Sequence, residues 1–248
     1  MMPRRLHVLL STLVLFVFFS GARQLPAAPP QPGKQVARAF LHPRDMTQKM
    51  GYWLFLPKDY DAASGKKWPL MLFLHGMGER GESLGMVKRH GPPMIVDRDP
   101  SFPFILVSPQ CPDGQMWNSD TLSWLLDEIE AEFAVDTSRE YVTGLSMGGY
   151  GTWSLAASTP TRFAAVAPIC GGGRPEWAAQ LKQVPIWVYH GDADTAVLLK
   201  ESQRMVDAIK AAEGDIQFTV YPGVGHDSWT ETYRKPEFYE WLLSKKRE

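Results

Sequence analysis

One nine-residue segment restricts the fold of this chain more than any other feature. Residues 141–149 read YVTGLSMGG, in which a β-forming run breaks at a GxSxG pattern and continues into helix-compatible residues. A serine in this pattern lies on a strained turn between a strand and a helix, where Gly144 and Gly148 let the backbone pass without a Cβ clash. The segment therefore predicts a strand-turn-helix unit that exposes the Ser146 hydroxyl as a nucleophile.

Length and composition agree with one globular α/β domain. The 248 residues are 44% hydrophobic, which allows a sizeable core, and 26 Lys and Arg residues balance 27 Asp and Glu residues. A net charge of −1 gives no sign of a nucleic-acid partner. We see no internal repeat, and we assign residues 35–248 to a single catalytic domain whose oligomeric state the sequence leaves open.

The first 34 residues predict export followed by a tether. Two arginines precede an apolar run over residues 8–19 and small residues up to Ala22, a pattern typical of a signal peptide, residues 1–22, that is cleaved after Ala22. The alternative is an uncleaved membrane anchor, but the run is shorter than the roughly 20 apolar residues of a spanning helix. We expect a periplasmic or extracellular protein with no stable membrane insertion, in which the Pro-rich residues 23–34 form an extended tether.

Eight β-forming runs predict a mostly parallel sheet flanked by helices. Helix-length intervals separate the last six runs, as crossover connections require, whereas a polar turn joins the first two and predicts an antiparallel edge. Only residues 170–183 separate the sixth and seventh runs, too few for a large lid. The runs cover residues 36–41, 51–56, 70–74, 104–108, 140–143, 164–169, 184–189 and 216–221.

Four segments carry helix signals, with apolar stripes, caps and stops at helical spacing. They are a stripe over residues 122–133 capped by Ser119 or Asp120, a helix over 150–158, a helix around 205–212 that Gly214 closes, and a helix over 236–244.

A serine nucleophile needs a histidine base and an acid that orients the base. Among six histidines, His226 lies in a glycine-rich loop after the last predicted strand, at the sheet edge where Ser146 is expected. His75 and His190 stand beside glycines at strand ends, where we expect turn roles.

The acid comes between serine and histidine along the chain in this arrangement. The loop after the seventh predicted strand contains both Asp192 and Asp194, which the spacing alone does not separate. The developing oxyanion also needs two N–H donors. The N–H of Met147 follows the nucleophile, and the loop HGMG, residues 75–78, offers the N–H of Met77.

Taken together, these segments resemble the α/β-hydrolase superfamily over nearly all of residues 35–248. In particular they look like bacterial secreted esterases often labelled predicted peptidases. Those esterases are related to feruloyl and acetyl-xylan esterases, polyhydroxybutyrate depolymerases and the catalytic domains of prolyl oligopeptidases. The resemblance rests on the segments PLMLFLHGMGERG, SPQCPDGQMW, YVTGLSMGGYGTW, FAAVAPICGGG, IWVYHGDADTAV and YPGVGHDSW.

The resemblance implies a catalytic triad of Ser146, Asp194 and His226, because the pattern HGxxDxxV of that group places the acid at Asp194. Dienelactone hydrolases are also similar, but that resemblance implies a cysteine nucleophile, and the serine at position 146 argues against that branch.

Further residues bear on substrate and cofactor. Trp117, Trp229 and Gln110 flank the site along the chain, either as an aromatic wall with a polar group for an aryl or sugar ester, or as ordinary packing residues. No metal and no organic cofactor are expected, because the remaining potential ligands show no ligand spacing. In the strand order that the α/β-hydrolase resemblance implies, two strands separate those that Cys111 and Cys170 follow, so we expect unpaired thiols.

The sequence thus predicts an exported serine hydrolase with an α/β-hydrolase fold. It would cleave carboxylic esters through an acyl-enzyme, on a small-molecule or polysaccharide substrate such as a feruloyl or acetyl ester. A serine peptidase like the prolyl oligopeptidases is the first alternative, although the chain lacks their propeller domain. A non-catalytic binding module on a hydrolase fold is the second, and it would predict a damaged triad.

Overall fold

The computed structural model describes residues 30–45 and 49–248, and these form an eight-stranded sheet with helices on both faces. Strands and α-helices are numbered in chain order. The strands are β1 (Gln35–Leu41), β2 (Lys49–Phe55), β3 (Trp68–Leu74), β4 (Ile105–Pro109), β5 (Val135–Leu145), β6 (Ala165–Ile169), β7 (Ile186–Gly191) and β8 (Ile216–Tyr221). The helices are α1 (Gly91–Ile95), α2 (Ser119–Glu132), α3 (Met147–Ser158), α4 (Ala178–Leu181), α5 (Lys200–Ala211), α6 (Trp229–Arg234) and α7 (Pro236–Ser244).

The sheet order is β1-β2-β4-β3-β5-β6-β7-β8. β1 and β2 form the expected antiparallel edge, and β2 pairs antiparallel with β4, while the pairs from β4 through β8 are parallel. Every residue of β3 is buried, which is typical of a central parallel strand with helices over both faces. The carboxyl ends of β3, β5, β7 and β8 therefore lie along one edge, where their loops converge.

Two hydrophobic clusters lie on opposite faces of the sheet. Helices α2, α3, α4 and α5 pack over the first cluster, to which α2 contributes the stripe Leu122, Leu125 and Ile129. Helices α6 and α7 pack over the second, through Tyr233 and Phe238. The predicted fold is confirmed, with only two short helical segments, Pro175–Trp177 and α4, where a lid could have been inserted.

The ends of α2 and α5 differ from expectation. The cap of α2 is Asn118, whose side-chain oxygen accepts a hydrogen bond from the N–H of Thr121 at 2.9 Å, in place of Ser119 or Asp120. After α5, the left-handed residue is Glu213, with φ of 60°. Gly214 is needed for a different reason, since a Cβ there would lie 2.6 Å from Cγ2 of Ile209.

The two cysteines are unpaired and buried, as predicted. Cys111 follows β4 and Cys170 follows β6, and the two strands β3 and β5 lie between them. Their separation is therefore a consequence of the strand order.

The predicted signal peptide and most of the tether lie outside the described residues, so the domain boundaries stay predictions. The last part of the tether contacts the domain, because the N–H of Gly33 donates to the carbonyl of Leu56 at 2.8 Å. Across residues 30–45 and 49–248, no helix has the length and apolar character needed to cross a membrane.

Arg162 holds a buried carboxylate that offers a test of the fold. Its Nε donates to Oε2 of the buried Glu140 at 2.9 Å, and its Nη1 donates to Asp127 at 2.7 Å. Burial raises the pKa of Glu140 to about 8, so in Arg162→Met the carboxyl can take up a proton near pH 7 and avoids the full cost of a buried charge. The lost hydrogen bonds should still lower the free energy of unfolding by about 1–3 kcal/mol. Urea titration measures this loss.

The matched control is Arg139→Met, which removes a more exposed ion pair with Asp136. This change should cost no more than about 1 kcal/mol. Equal small losses in the two variants would show that Glu140 does not depend on Arg162.

Candidate active site

Ser146 occupies a strained turn between β5 and α3. Its φ of 53° and ψ of −117° lie outside the regions that side chains ordinarily adopt, and its N–H donates to the carbonyl of Ile169 at 3.0 Å. The helix starts at the very next residue, Met147, three residues earlier than predicted. The turn leaves the Ser146 side chain half-buried at the edge where the loops meet.

The turn packs directly against the end of β3. A Cβ on Gly148 would overlap the carbonyl oxygen of Leu74, and a Cβ on Gly144 would overlap the backbone of Gly148. Both glycines of the GxSxG pattern are therefore required by a close approach of backbone to backbone.

His226 and Asp194 complete a hydrogen-bonded line with Ser146. Nε2 of His226 lies 2.9 Å from Oγ of Ser146, and Nδ1 of His226 lies 2.7 Å from Oδ2 of Asp194. His226 stands in the loop after β8 and Asp194 in the loop after β7, so two parallel crossovers bring the three side chains together. In this tautomer, Nδ1 donates to the carboxylate and Nε2 accepts the serine proton.

Asp194 is held as an ionised, buried carboxylate. Burial by itself would raise its pKa, but the hydrogen bonds from His226 and from the N–H groups of Val197 and Ala196 outweigh it and lower the pKa below its ordinary value. Asp192, by contrast, is exposed and accepts from the N–H of Gly223 at 2.7 Å. The geometry thus separates the two carboxylates that spacing could not.

His190 does not have the turn role that the sequence suggested. Its ring is fully buried, and its Nε2 lies 3.1 Å from Oδ2 of Asp194. The contact between His190 and Asp194 could have been suspected from their spacing of four residues, because His190 lies near the end of β7 and Asp194 in the loop that follows it.

The two predicted oxyanion donors both lie at the start of helical turns. Met147 is the first residue of α3, and Met77 is the first residue of the 3₁₀ turn Met77–Glu79. The first N–H groups of a helix have no partner within it, so they are free to bind a negative oxygen. The two turns are in contact, since a Cβ on Gly76 would lie 2.8 Å from Cδ1 of Leu145.

His75 fixes the loop that carries Met77. Its Nδ1 donates to the carbonyl of Gly76 at 2.6 Å, and its Nε2 accepts from the N–H of Cys111 at 3.0 Å. Burial lowers the pKa of His75 to about 4, so the ring is neutral around pH 7 and this tautomer is maintained.

The three predicted substrate contacts have different surroundings. Trp117 packs its ring 4.8 Å from that of His75, and Trp229 packs its ring 5.3 Å from that of His226. Gln110 is buried, and its Nε2 donates to the carbonyls of Glu79 and Ser83 at 2.8 and 2.9 Å. The tryptophans therefore flank the site on two sides, while the Gln110 amide nitrogen is bound within the loop after Met77.

A groove of about 340 Å³ opens beside Met147. Its lining combines aromatic rings, charged side chains and glycines. The side chains that give this character are Trp117, Tyr150, Trp177, Arg174, Glu201 and Arg204.

Within the part of the chain that the structure describes, one trio of potential metal ligands lies at the site. Atoms of Cys170, Asp194 and His226 lie within 4.8 Å of one another. Burial raises the pKa of the Cys170 thiol to about 12, so it stays protonated and is a poor ligand. Asp194 and His226 already bind each other, and the absence of a metal stays a prediction.

The neutral state of His75 has a consequence for stability against pH. The unfolded chain binds a proton near the ordinary pKa of 6.5, while the folded chain does not until about 4, so stability is lost as pH falls through that window. Between pH 7 and pH 5 this effect lowers the free energy of unfolding of the parent protein by about 2 kcal/mol. Glutamine does not titrate, so we expect the His75→Gln variant to lack this decrease. Urea unfolding of both proteins at the two pH values measures it, and parallel losses would contradict the assignment.

Comparison with known proteins finds similarity to hydrolases. The model of the Dienelactone hydrolase family matches residues 118–240, a range that includes Ser146, Asp194 and His226. The chain is thus similar to that family over the segment that carries these residues, and its separation from the cysteine-dependent branch by Ser146 stays a prediction.

Individual relatives point the same way. The chain is 31% identical over 134 residues to a bifunctional acetylxylan esterase/xylanase of Neocallimastix patriciarum, covering 51% of this chain and 19% of that protein. It is 44% identical over 52 residues to poly(3-hydroxyalkanoate) depolymerase C of Paucimonas lemoignei, covering 21% and 13% of the two chains. A crystal structure of a thermostable esterase superposes with a TM-score of 0.76 at 31% identity.

That superposition covers 87% of this chain and 64% of the esterase chain, and the chain thus spans less than two thirds of each of these relatives. The sheet order, the strained serine turn and these matches lead to one conclusion: the chain belongs to the α/β-hydrolase superfamily.

Proposed function

We propose that this protein is a serine hydrolase that cleaves carboxylic esters through an acyl-enzyme on Ser146. The observation that carries the proposal is the unbroken line from Asp194 through His226 to Ser146, with contacts of 2.7 and 2.9 Å, at a strained strand-to-helix turn. A non-catalytic binding module would be expected to have a damaged triad. The contacts among Ser146, His226 and Asp194 therefore also favour catalysis.

The geometry supports the following steps. His226 takes the hydroxyl proton of Ser146 through Nε2 as Oγ attacks the ester carbonyl, and Asp194 stabilises the imidazolium. The N–H groups of Met147 and Met77 bind the oxyanion, each worth about 2.7–4 kcal/mol in the transition state. His226 then gives its proton to the leaving alkoxide, and water repeats the sequence to release the acid.

The positions of base and groove suggest where each half of the ester lies. His226 must protonate the leaving oxygen, so the alcohol lies on the side of His226 and Trp229. The groove beside Met147 is then left for the acyl group, and its rings at Trp117 and Trp177 suit a flat or apolar acyl chain.

We infer a substrate among feruloyl or acetyl esters of polysaccharides. The relatives support this class, because they include the acetylxylan esterase/xylanase above and probable feruloyl esterases of two Aspergillus species. We also propose export to the periplasm or the medium, directed by residues 1–22.

Ser146→Ala tests the reaction class. We expect kcat/KM for p-nitrophenyl acetate, methyl ferulate and acetylated xylan to fall by about 10⁴-fold or more, because the nucleophile is lost. Ser158→Ala, which changes an exposed serine at the end of α3, should keep parental rates.

The other outcomes have distinct meanings. Turnover of an aminoacyl-p-nitroanilide alone would favour the peptidase. No turnover, together with no labelling of the folded protein by a fluorophosphonate, would favour the binding module.

Trp177→Ala tests the placement of the acyl group. Loss of the ring from the groove should raise KM for methyl ferulate by about tenfold, which corresponds to about 1.4 kcal/mol, and leave p-nitrophenyl acetate nearly unchanged. Trp124→Ala is the matched control, since that ring packs on Arg44 and His42 outside the groove. An equal rise for both esters would place the acyl group elsewhere.

A further inference from the structure

We propose that His190 is a positioning residue for the catalytic acid, and that its Nε2–H holds the Asp194 carboxylate in the orientation that His226 requires. This inference rests on the proposed function. His190 lies near the end of β7, four residues before Asp194, and both side chains are fully buried. The contact between them is therefore not exposed to bulk solvent.

The surroundings of the ring determine where its proton lies. Nε2 lies 2.8 Å from the carbonyl oxygen of Val197 and 3.1 Å from Oδ2 of Asp194. A carbonyl and an ionised carboxylate only accept, so Nε2 carries a hydrogen that the two oxygens share. His190 therefore acts toward Asp194 as a fixed donor.

With His190 included, the carboxylate of Asp194 has four donors. Oδ1 accepts from the N–H groups of Ala196 and Val197, both at 2.9 Å, while Oδ2 accepts from the rings of His226 and His190. Four bonds fill the in-plane acceptor positions of a carboxylate, so rotation about its Cβ–Cγ bond would break several of them. The oxygen that faces His226 is thereby fixed.

The Nδ1 side of the His190 ring is hydrogen-bonded, through Ser202, to the backbone that packs against the turn at Ser146. Oγ of Ser202 in α5 donates its one hydrogen to the carbonyl of Gly171 at 2.8 Å, so it accepts from Nδ1 of His190 at 2.7 Å. Gly171 packs on the start of α3, because a Cβ there would lie 2.6 Å from the carbonyl carbon of Gly149. The ring thus connects the acid loop to the backbone beside Ser146.

Oδ2 of Asp194 accepts from both His190 and His226, so loss of the His190 donor should change the pH profile of kcat/KM. Without the His190 donor, the Asp194 carboxylate would present more negative charge to His226 and favour its protonated form. The acidic limb of kcat/KM should then move to higher pH. The other titratable side chains that face Asp194 are Cys170 and Tyr150; burial raises the pKa of both, so they stay neutral near pH 7.

The experiment compares His190→Met with His190→Gln on p-nitrophenyl acetate. Methionine fills the space without a donor, whereas the glutamine amide nitrogen can replace Nε2–H. We expect His190→Met to lower kcat about 10- to 100-fold with little change in KM, and to move the acidic limb up by about 0.5 pH unit. His190→Gln should recover most of both losses.

Two results would overturn the proposal: parental kcat and acidic limb in His190→Met, or equal losses in the two variants without a shift of the limb. Ser146→Ala in the same assay separates this from failure of the proposed function, because turnover that survives that change does not come from the triad.

A measurement on the parent protein covers the case in which a variant does not fold. Nitrogen-15 NMR of labelled histidines should show His190 protonated at Nε2 around pH 7, with its signal assigned through the contact to Ser202. A bare Nε2 would overturn the proposal.

Discussion

The contact on which the site depends is the close approach of the serine turn to the end of β3. Because Gly148 has no side chain, the backbone of α3 lies against the Leu74 carbonyl, and the helix begins directly after Ser146. This contact brings the first N–H of α3 beside the loop that carries Met77. A side chain at Gly148 would therefore displace Ser146 and the N–H of Met147 together.

The second requirement is electrostatic. A buried carboxylate is costly unless it is paired and hydrogen-bonded. Asp194 meets this requirement with two backbone N–H groups and two imidazole rings, so its charge is stabilised and directed at once. For His75 the effect of burial is the opposite, since burial favours the neutral ring, whose donor and acceptor nitrogens hold the loop that carries Met77.

Much of the fold could be predicted because its signals are local. Apolar runs separated by helix-length intervals indicated the eight strands, and the chain order of Ser146, the acid and His226 followed from the loops after them. Helix ends were less predictable. The left-handed conformation fell on Glu213 instead of Gly214, because the glycine is needed for contact with Ile209, which no local pattern reveals.

The sequence by itself determined the parallel sheet and the strained serine turn, since periodicity and glycine spacing depend on neighbours along the chain. The separation of the two cysteines followed from the strand order that the family resemblance implied. Residue spacing left Asp192 and Asp194 open, and the family resemblance alone favoured Asp194. The tertiary structure placed Asp194 against His226, turned the His190 ring toward it, and bound the Gln110 amide within a loop. In each of these cases the partner is a backbone or ring atom brought by another loop. The direction of a loop side chain depends on those distant partners, and residue spacing does not encode it.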